Sequence, residues 1–315
     1  MPPANTSQDK DRGAPGTSLY DAVVIGGGPA GLSAALVLGR CVRRVAVCDS
    51  GRYRNERSNA LHCFMSRDGI PPAMLLEESR RQLERYETVT MMAAKVTAAE
   101  RKDTQFTVLT DDGYALQAKT VLVATGVVDE LPRIDGIAEL FGRSVHVCPY
   151  CDGWEHRNAP VAVYGHGEKA VRYTMLLRQW TDDLVLCTDG SKLSAEHAGL
   201  LKKSGIAVRD DKISRLEGKD GCLQTVLFAG GARLGRQALF FTTGQHPRSP
   251  LLEKLGCRFD EEGGVACNAE GQTSVPGVFV AGDVSRDVQL AIIAAAEGAR
   301  AALAINKSLV SADSS

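Results

Sequence analysis

Short apolar runs that end at a glycine or an acidic residue recur along the chain, and several of them lead into stretches with helical spacing. "DAVVIGGGPAGLSAALVLG" (21–39) passes from a β-branched run through glycines into an Ala/Leu-rich stretch, and "RRVAVCDSG" (43–51) follows as a second apolar run. "PVAVYGHGEKAVRYTMLL" (160–177) and "DLVLCTDG" (183–190) repeat this order. Buried strands that alternate with helices indicate parallel sheets. The pattern therefore predicts an α/β protein with two doubly wound, Rossmann-like units.

The first glycine-rich turn has G-x-G-x-x-G spacing between a predicted strand and a predicted helix. Gly26 permits a tight turn, Gly28 lets the backbone approach a pyrophosphate, and Gly31 lets the helix pack closely on the strand. The helix N-terminus supplies N–H groups for the phosphates. Asp49 ends the next strand, where a carboxylate accepts ribose hydroxyls. We predict a dinucleotide site formed by Asp49 and the turn residues Gly26, Gly27, Gly28, Pro29, Ala30 and Gly31.

A second fingerprint, G-x-G-x-x-A, follows the later strand and precedes another helix. Two fingerprints in one chain suggest one site for a flavin and one for a nicotinamide. Lys192 is the lone base where a 2′-phosphate would bind, and Asp189 and Glu168 place negative charge near the phosphates. The unit either binds a nicotinamide or keeps the fold with a weakened site. The candidate nicotinamide residues are Gly165, Gly167 and Ala170.

Three further apolar runs mark the domain organisation. "TVLVATG" (120–126) and "ALFFTTG" (238–244) each predict a strand at a crossing between domains, and "GVFVAGD" (277–283) precedes a long Ala-rich stretch with helical spacing. Asp283 either meets a ribityl or pyrophosphate group or caps that helix. We expect the second unit to be inserted into the first. The predicted segments are a disordered arm at 1–19, an outer domain at 20–126 and 245–315, and an inserted domain at 127–244.

Composition and charge narrow the range of partners. The 315 residues are 44% hydrophobic and 24% charged, as in ordinary globular proteins. A formal net charge of -1 indicates neither nucleic acid nor an anionic membrane, and no apolar run approaches the roughly 20 residues of a membrane helix. The N-terminal segment lacks the apolar core of a secretory signal, so we expect a cytoplasmic protein whose nine cysteines are mostly thiols.

Cys148 and Cys151 have CxxC spacing and precede Asp152. A structural zinc site needs four ligands and this pair supplies two, while the nearby histidines lack regular ligand spacing, so we expect no metal. An inert pair is disfavoured because the following Asp-Gly places it at a polar turn. A redox pair fits better, since two intervening residues let the sulfurs bond within one turn. If "CDGWE" opens a helix, its dipole favours a thiolate, and Asp152 is the nearest candidate acid or base.

Six motifs follow one another in a fixed order: "GGGPAG", "ATG", the CxxC with Asp-Gly, "GHGEKA", "TTG" and "AGD". With them, the chain from Tyr20 to Leu309 resembles the low-molecular-weight thioredoxin reductase family of flavoproteins. The resemblance implies a non-covalent FAD in the outer domain, an inserted NAD(P) domain with the CxxC, and a homodimer. It also implies that Cys151 faces the flavin while Cys148 exchanges with substrate. The further residues implied around FAD are Ser50, Arg54, Asn55, His62, Ala124, Gly282, Asp283, Gln289, Leu290 and Ala291.

The chain departs from a standard thioredoxin reductase in features that bear on the direction of electron flow between the cofactors and the substrate. The His-Arg-Arg cluster that binds NADPH in those enzymes is absent after "LVLCTDG". The segment 51–83 and "CPYCDGWE" are similar to the dithiol oxidases that close disulfides in natural products such as gliotoxin, holomycin and romidepsin. Some of those oxidases have His after the second cysteine, whereas Asp152 matches the reductases.

Three functions follow from these features. The leading hypothesis is an FAD-dependent dithiol oxidase that forms an intramolecular disulfide in a small secondary metabolite, with electrons passing to O₂ or NADP⁺. The alternative is an NAD(P)H-dependent, thioredoxin-reductase-like enzyme that reduces a protein disulfide. A third hypothesis, from another class, is a flavin-binding redox sensor without turnover.

Overall fold

The computed structural model of the chain describes residues 19–261, 263–285 and 288–314. The predicted disordered arm, residues 1–19, lies outside the described residues except for Leu19, which begins the first strand. No helix within the described ranges combines the length and the apolar character needed to cross a bilayer.

The secondary structure comprises seventeen strands, eight α-helices and two 3₁₀ turns, at Trp154–His156 and Asp283–Ser285, within the described residues. The strands are β1 Leu19–Ile25, β2 Val45–Cys48, β3 Val89–Met92, β4 Val96–Lys102, β5 Gln105–Thr110, β6 Ala115–Val123, β7 Val127–Asp129, β8 Val145–His146, β9 Val161–Tyr164, β10 Leu184–Cys187, β11 Ala207–Arg209, β12 Ile213–Lys219, β13 Cys222–Phe228, β14 Arg233–Gly235, β15 Ala238–Phe241, β16 Gln245–Pro247 and β17 Val278–Val280. The helices are α1 Pro29–Arg40, α2 Pro72–Leu83, α3 Ile137–Leu140, α4 Pro149–Asp152, α5 Gly167–Leu177, α6 Ala195–Lys203, α7 Leu251–Lys254 and α8 Ala291–Asp313.

The first sheet is built on parallel strands in the order β3-β2-β1-β6, with β17 beside the C-terminal part of β6. The N-terminal part of β6 pairs with β5, which runs antiparallel to β4. All four residues of β2 are buried, as expected for a parallel strand covered on both faces. The carboxyl ends of β1 and β2 therefore lie side by side, next to the predicted dinucleotide turn.

Helices α1 and α8 cover one face of this sheet through small side chains. Ala34 and Ala35 of α1 and Ala301 and Ala302 of α8 are fully buried in the same cluster. Gly298 of α8 lies directly over the backbone of α1. The close approach of the two helices depends on the small volume of these residues.

The second sheet has five parallel strands in the order β11-β10-β9-β15-β8. An antiparallel meander of β12, β13 and β14 packs against it through Leu223, Val226 and Phe228. All four residues of β9, β10 and β15 are buried. The predicted α/β class with two doubly wound sheets is therefore confirmed.

Strands β7 and β16 pair antiparallel where the chain passes between the two sheets. They follow the two predicted crossing strands, which the structure has as β6 and β15. Strand β17 then returns to the first sheet. This order agrees with an inserted second unit, while the segment limits at 126 and 244 stay predictions.

We expect Gly298→Ala to lower the free energy of unfolding by about 2 kcal/mol or more, because the new methyl group would overlap the carbonyl oxygen of Ala30 and force the helices apart. Gly199→Ala in the interior of α6 is the matched control, since a methyl group there meets no atom within 4 Å. The control is expected to gain roughly 0.5–1 kcal/mol from helix propensity. Urea unfolding measures both, and equal stabilities for the two variants would contradict the close contact of α1 with α8.

Candidate functional site

One cavity of about 590 Å³ extends from the glycine turn of the first sheet to the cysteine pair of the second. Its volume is in the range of sites for small molecules and cofactors. Cys148, Cys151 and Asp152 line one wall. The predicted cofactor residues that line it are Gly26, Gly27, Gly28, Pro29, Ala30, Asp49, Ser50, Arg54, Asn55, His62, Ala124, Gly282, Asp283, Gln289, Leu290 and Ala291.

The glycine turn has the shape expected for a phosphate cradle. Gly26 has φ +114°, and a methyl group there would overlap the carbonyl oxygen of Ala124. A methyl group on Gly28 would meet no atom within 4 Å, because this position faces the open cavity at the start of α1. Gly31 lies beneath the turn, where a methyl group would overlap the carbonyl oxygen of Gly26. The turn therefore leaves room for a phosphate against the helix N-terminus.

Three protein groups donate hydrogen bonds to the carboxylate of Asp49. The backbone N–H of Gly51 donates to one carboxylate oxygen at 3.0 Å, and Arg80 and the Tyr53 hydroxyl donate to the other. Burial and the neighbouring Asp49 raise the pKa of Tyr53 above its ordinary value. Sequence reasoning did not identify Arg80, because α2 carries it to Asp49 from 31 residues away.

Arg54 connects several parts of the cavity wall. Its guanidinium binds Asp129 of β7 through two hydrogen bonds of 2.8 and 2.6 Å, and it also donates to Asp283 at 2.9 Å and Gln289 at 2.6 Å. Burial alone would lower the pKa of Arg54, but Asp129 and Asp283 raise it above its ordinary value. Arg54 thus holds the predicted cofactor residues Asp283 and Gln289 in place, and it also binds Asp129 of β7, where the chain passes between the two sheets.

Cys148 and Cys151 form a disulfide with a Cα–Cα distance of 5.3 Å, which is ordinary for a disulfide. The expectation that "CDGWE" opens a helix is wrong in position, because α4 begins at Pro149 and ends at Asp152 before a separate 3₁₀ turn. The proline has no N–H to lose and suits the first helical position. Cys148 is consequently the N-cap, and its sulfur accepts a hydrogen bond from the Cys151 N–H at 3.2 Å.

Beside the disulfide, Asp152 joins two histidines that sequence reasoning set aside. The Asp152 carboxylate lies 3.2 Å from Nδ1 of His146, and Nε2 of His146 lies 2.9 Å from Nε2 of His156. Burial first, and then the neighbouring His146, lower the pKa of His156 to about 4. Ten residues separate the two histidines, and only the packing of β8 beside the turn after α4 brings them together.

His62 lies at the cavity wall between two acidic side chains. Its Nε2 is 3.3 Å from Glu155 and its Nδ1 is 3.6 Å from Asp68. It therefore links the segment 51–83 to the 3₁₀ turn after the cysteine pair.

The second fingerprint lies apart from the cavity, since none of the described lining residues belongs to it. Gly167 has φ +63° at the start of α5, and Ala170 is fully buried. A methyl group on Gly165 would overlap the Thr242 side chain. The backbone of this turn differs from that of the first fingerprint, in which the positive φ lies at Gly26 and Gly28, the counterpart of Gly167, has φ -79°.

The charges beside the second fingerprint are satisfied by the protein itself. Asp189 accepts from the Tyr164 hydroxyl and from the Ile213 N–H, both at 3.1 Å. Burial and Asp189 raise the pKa of Tyr164 to about 12. Glu168 forms an ion pair with Arg172 one turn later, so its charge is partly offset.

No three His, Cys, Asp or Glu side chains converge as metal ligands in the part of the chain that the structure describes. His146, His156 and Asp152 form a row rather than a cage, because each contacts only the next.

Comparison with known proteins gives concordant similarities. A sequence model of the family described as pyridine nucleotide-disulphide oxidoreductase matches residues 20–298. Thioredoxin reductase tcpT of Claviceps purpurea is 32% identical over 279 residues, covering 85% of this chain and 87% of that protein. Thioredoxin reductase sirT of Leptosphaeria maculans is 29% identical over 94% of this chain and 96% of that protein. The crystal structure of HlmI superposes with a TM-score of 0.92 at 39% identity, covering 96% of each chain.

The lowered pKa of His156 predicts a loss of stability in mild acid. The unfolded chain takes up a proton on this imidazole near pH 6.5, whereas the folded protein does so only near pH 4. Above pH 6.5 the imidazole is neutral in both states, so it does not reduce the free energy of unfolding. As the pH falls from 6.5 to 4, protonation favours the unfolded chain, and the free energy of unfolding falls. Allowing for its partial exposure, we expect a loss of about 2 kcal/mol in the free energy of unfolding.

Urea unfolding between pH 8 and pH 4 measures this loss, with His156→Gln as the test variant. The variant cannot titrate, so its stability should fall less than that of the wild type over this range. His197→Gln on α6 is the control and should behave as the wild type, since only the backbone of His197 serves a hydrogen bond there. Parallel pH curves for the wild type and His156→Gln would refute the assignment.

Proposed function

This chain belongs to the pyridine nucleotide-disulphide oxidoreductase family, and we propose that it is an FAD-dependent oxidase that closes an intramolecular disulfide in a small dithiol of secondary metabolism. One observation carries the proposal. The Cys148–Cys151 disulfide forms part of the wall of the same cavity as the glycine turn. A flavin bound at that turn and a substrate at the disulfide would share one enclosed space.

The residues around the cavity fit FAD. The open position at Gly28 and the N-terminus of α1 suit a pyrophosphate, and the carboxylate of Asp49 suits a ribose. Asp283, oriented by Arg54, is the candidate partner of the ribityl chain. When bound, FAD supplies two-electron oxidation of the reduced cysteine pair and passes the electrons to O₂ or NADP⁺.

The protein's own part of the reaction is thiol–disulfide exchange. One substrate thiolate attacks Cys148 Sγ, the Cys148–Cys151 bond breaks, and a mixed disulfide forms. The second substrate thiolate attacks the substrate sulfur of that mixed disulfide and releases Cys148. The substrate loses two electrons and two protons, and the two cysteines gain them. Asp152, next to Cys151, is the candidate acid that protonates the departing sulfur.

Exposed apolar side chains on the cavity wall suit a small organic substrate. Tyr150, 58% exposed, lies between the two cysteines, and Val288, 60% exposed, lines the same cavity. Tyr150 packs edge-on against Trp180 at 6.0 Å between ring centroids, which limits its motion. We propose that Tyr150 contacts the substrate.

The direction of electron flow is inferred from the second fingerprint. Asp189 places a negative charge in "TDGSK", where Lys192 is the lone base. These features disfavour the 2′-phosphate of NADPH as a routine reductant. The similarity to HlmI and the resemblance of segment 51–83 to natural-product dithiol oxidases support oxidation of a small dithiol. The resemblance also supports a homodimer.

Anaerobic stopped-flow mixing tests the proposed direction of electron flow. We expect dithiothreitol, as a model dithiol, to bleach the visible flavin band of the reconstituted protein at least about tenfold faster than NADPH does at equal concentration. Faster bleaching by NADPH would instead favour the thioredoxin-reductase-like alternative, for which Asp152 is the supporting residue. Bleaching by neither reagent would favour a redox sensor, and a protein that stays colourless after reconstitution would refute the flavin site.

Serine variants test the role of each cysteine. Cys148→Ser is expected to lower dithiol turnover by at least about 10³-fold, because the attacked sulfur is removed. Cys151→Ser should be equally slow in turnover but should retain a mixed disulfide on Cys148 after incubation with an oxidised small dithiol. Peptide mass spectrometry locates the adduct, and the double serine variant supplies the background from exposed thiols such as Cys63 and Cys222. An adduct on Cys151 of Cys148→Ser alone would reverse the assigned roles.

A further inference from the structure

Asp152, His146 and His156 form a row that leads away from the disulfide. Asp152 and His146 line the cavity, whereas His156 does not. The Asp152 carboxylate lies 3.2 Å from Nδ1 of His146 in an ion-pair contact, and the Nε2 atoms of His146 and His156 are hydrogen-bonded at 2.9 Å. The row therefore joins the cavity wall to a side chain outside the cavity.

His146, in the middle of the row, is shielded from water. His146 is 5% exposed, and Phe240 of β15 packs against both imidazoles with ring centroids at 5.2 and 6.1 Å. Tyr173 of α5 also lies near Asp152, and burial and that carboxylate raise its pKa. His156 is only partly buried. A proton that enters at His156 thus reaches Asp152 through the buried His146, and Asp152 itself is 24% exposed and lines the cavity.

Donor counting gives this row two complete arrangements of hydrogens. With Asp152 ionised, His146 donates from Nδ1 to the carboxylate and accepts at Nε2 from the Nε2–H of His156. With Asp152 protonated, the acid donates to Nδ1 of His146, and His146 donates from Nε2 to His156. The second arrangement contains one proton more than the first, on Asp152, and the hydrogen of each imidazole has moved to its other nitrogen, so each imidazole is neutral in both.

We propose that His146 and His156 are positioning residues that relay a proton between Asp152 and solvent during thiol–disulfide exchange. The inference rests on the proposed function, since it assigns a route to the proton that the exchange requires. The low pKa of His156 supports it, because an imidazole that stays neutral does not trap the proton in transit.

The proton balance of the exchange shows where the relay acts. When the substrate thiolate bonds to Cys148 Sγ and the Cys148–Cys151 bond breaks, Cys151 Sγ takes the proton of Asp152. Asp152 is then ionised, and it regains a proton when one enters at Nδ1 of His156 and each hydrogen of the row moves one position inward. The two substrate thiols release two protons to solvent. One returns through the row to Cys151, and the Cys148 thiolate takes up the other from solvent when it leaves the mixed disulfide, so the overall count is unchanged. When the cysteine pair is reoxidised, Cys151 gives up its proton, and protons move along the row from Asp152 toward His156.

Histidine variants of the flavin-loaded protein test the relay. We expect His156→Ala and His156→Gln to slow reduction by dithiothreitol by about 10–10²-fold, since proton transfer becomes limiting. Added imidazole should restore the alanine variant to within a few-fold of the wild type. The glutamine variant, which retains an amide at that position, should not be restored. His197→Gln is the control and should match the wild type with and without imidazole.

A second readout does not depend on turnover. In the reduced protein under anaerobic conditions, we expect the pH profile of iodoacetamide alkylation at Cys148 and Cys151 to shift in His146→Gln and not in His197→Gln, because the proton on Asp152 is no longer shared with the row. Urea unfolding at neutral pH establishes that each variant is folded.

The outcomes separate the relay from the proposed function. If dithiothreitol fails to reduce the wild type, the proposed function is overturned. If the wild type is reduced and the His156 variants react within twofold of it, or if imidazole leaves His156→Ala unchanged, the relay is overturned while the oxidase proposal stands.

Discussion

The ion-pair network around Arg54 is the interaction on which the shape of the site depends. The glycine turn belongs to the first sheet, and β7 lies where the chain passes from that sheet toward the cysteine pair. Arg54 binds Asp129 of β7 and Asp283 near the end of β17 at the same time, so it holds the start of this connection against the first sheet. The Asp129 side chain is only 5% exposed, and a buried carboxylate that loses its partner costs about 3–5 kcal/mol. The arrangement is therefore strongly favoured over one that separates these two carboxylates.

The chemistry of the cysteine pair follows from its position at the start of α4. Cys148 caps a short helix, and the N–H of Cys151 points at its sulfur, so developing negative charge on Cys148 is met by a backbone donor. Asp152 ends the same helix and connects to His146. In the proposed exchange, the backbone donor would stabilise Cys148 as it leaves the mixed disulfide, and Asp152 would protonate Cys151. This division suits a disulfide that opens and closes in each catalytic cycle.

The second nucleotide unit has the strand–turn–helix order of its fingerprint, with Gly167 at φ +63° at the start of α5 and Ala170 fully buried. The acidic residues beside it have partners within the protein. Tyr164 and Ile213 donate hydrogen bonds to Asp189, and Arg172 forms an ion pair with Glu168. The proposal that electrons enter from a dithiol rests instead on the negative charge of Asp189 and on Lys192 as the lone base in "TDGSK", where a 2′-phosphate would bind.

The sequence by itself determined the two parallel sheets, the glycine turn and the redox cysteine pair, because each of these is encoded within a few consecutive residues as strand, turn and helix signals. The start of α4 was misplaced by two residues, since the role of Pro149 at a helix N-terminus competes with the Asp-Gly signal after Cys151. Only the tertiary structure decided the partners of Arg54, the binding of Arg80 to Asp49, and the contact of His146 with His156. These contacts join side chains that no periodicity relates, and they form because strands distant in sequence pack side by side.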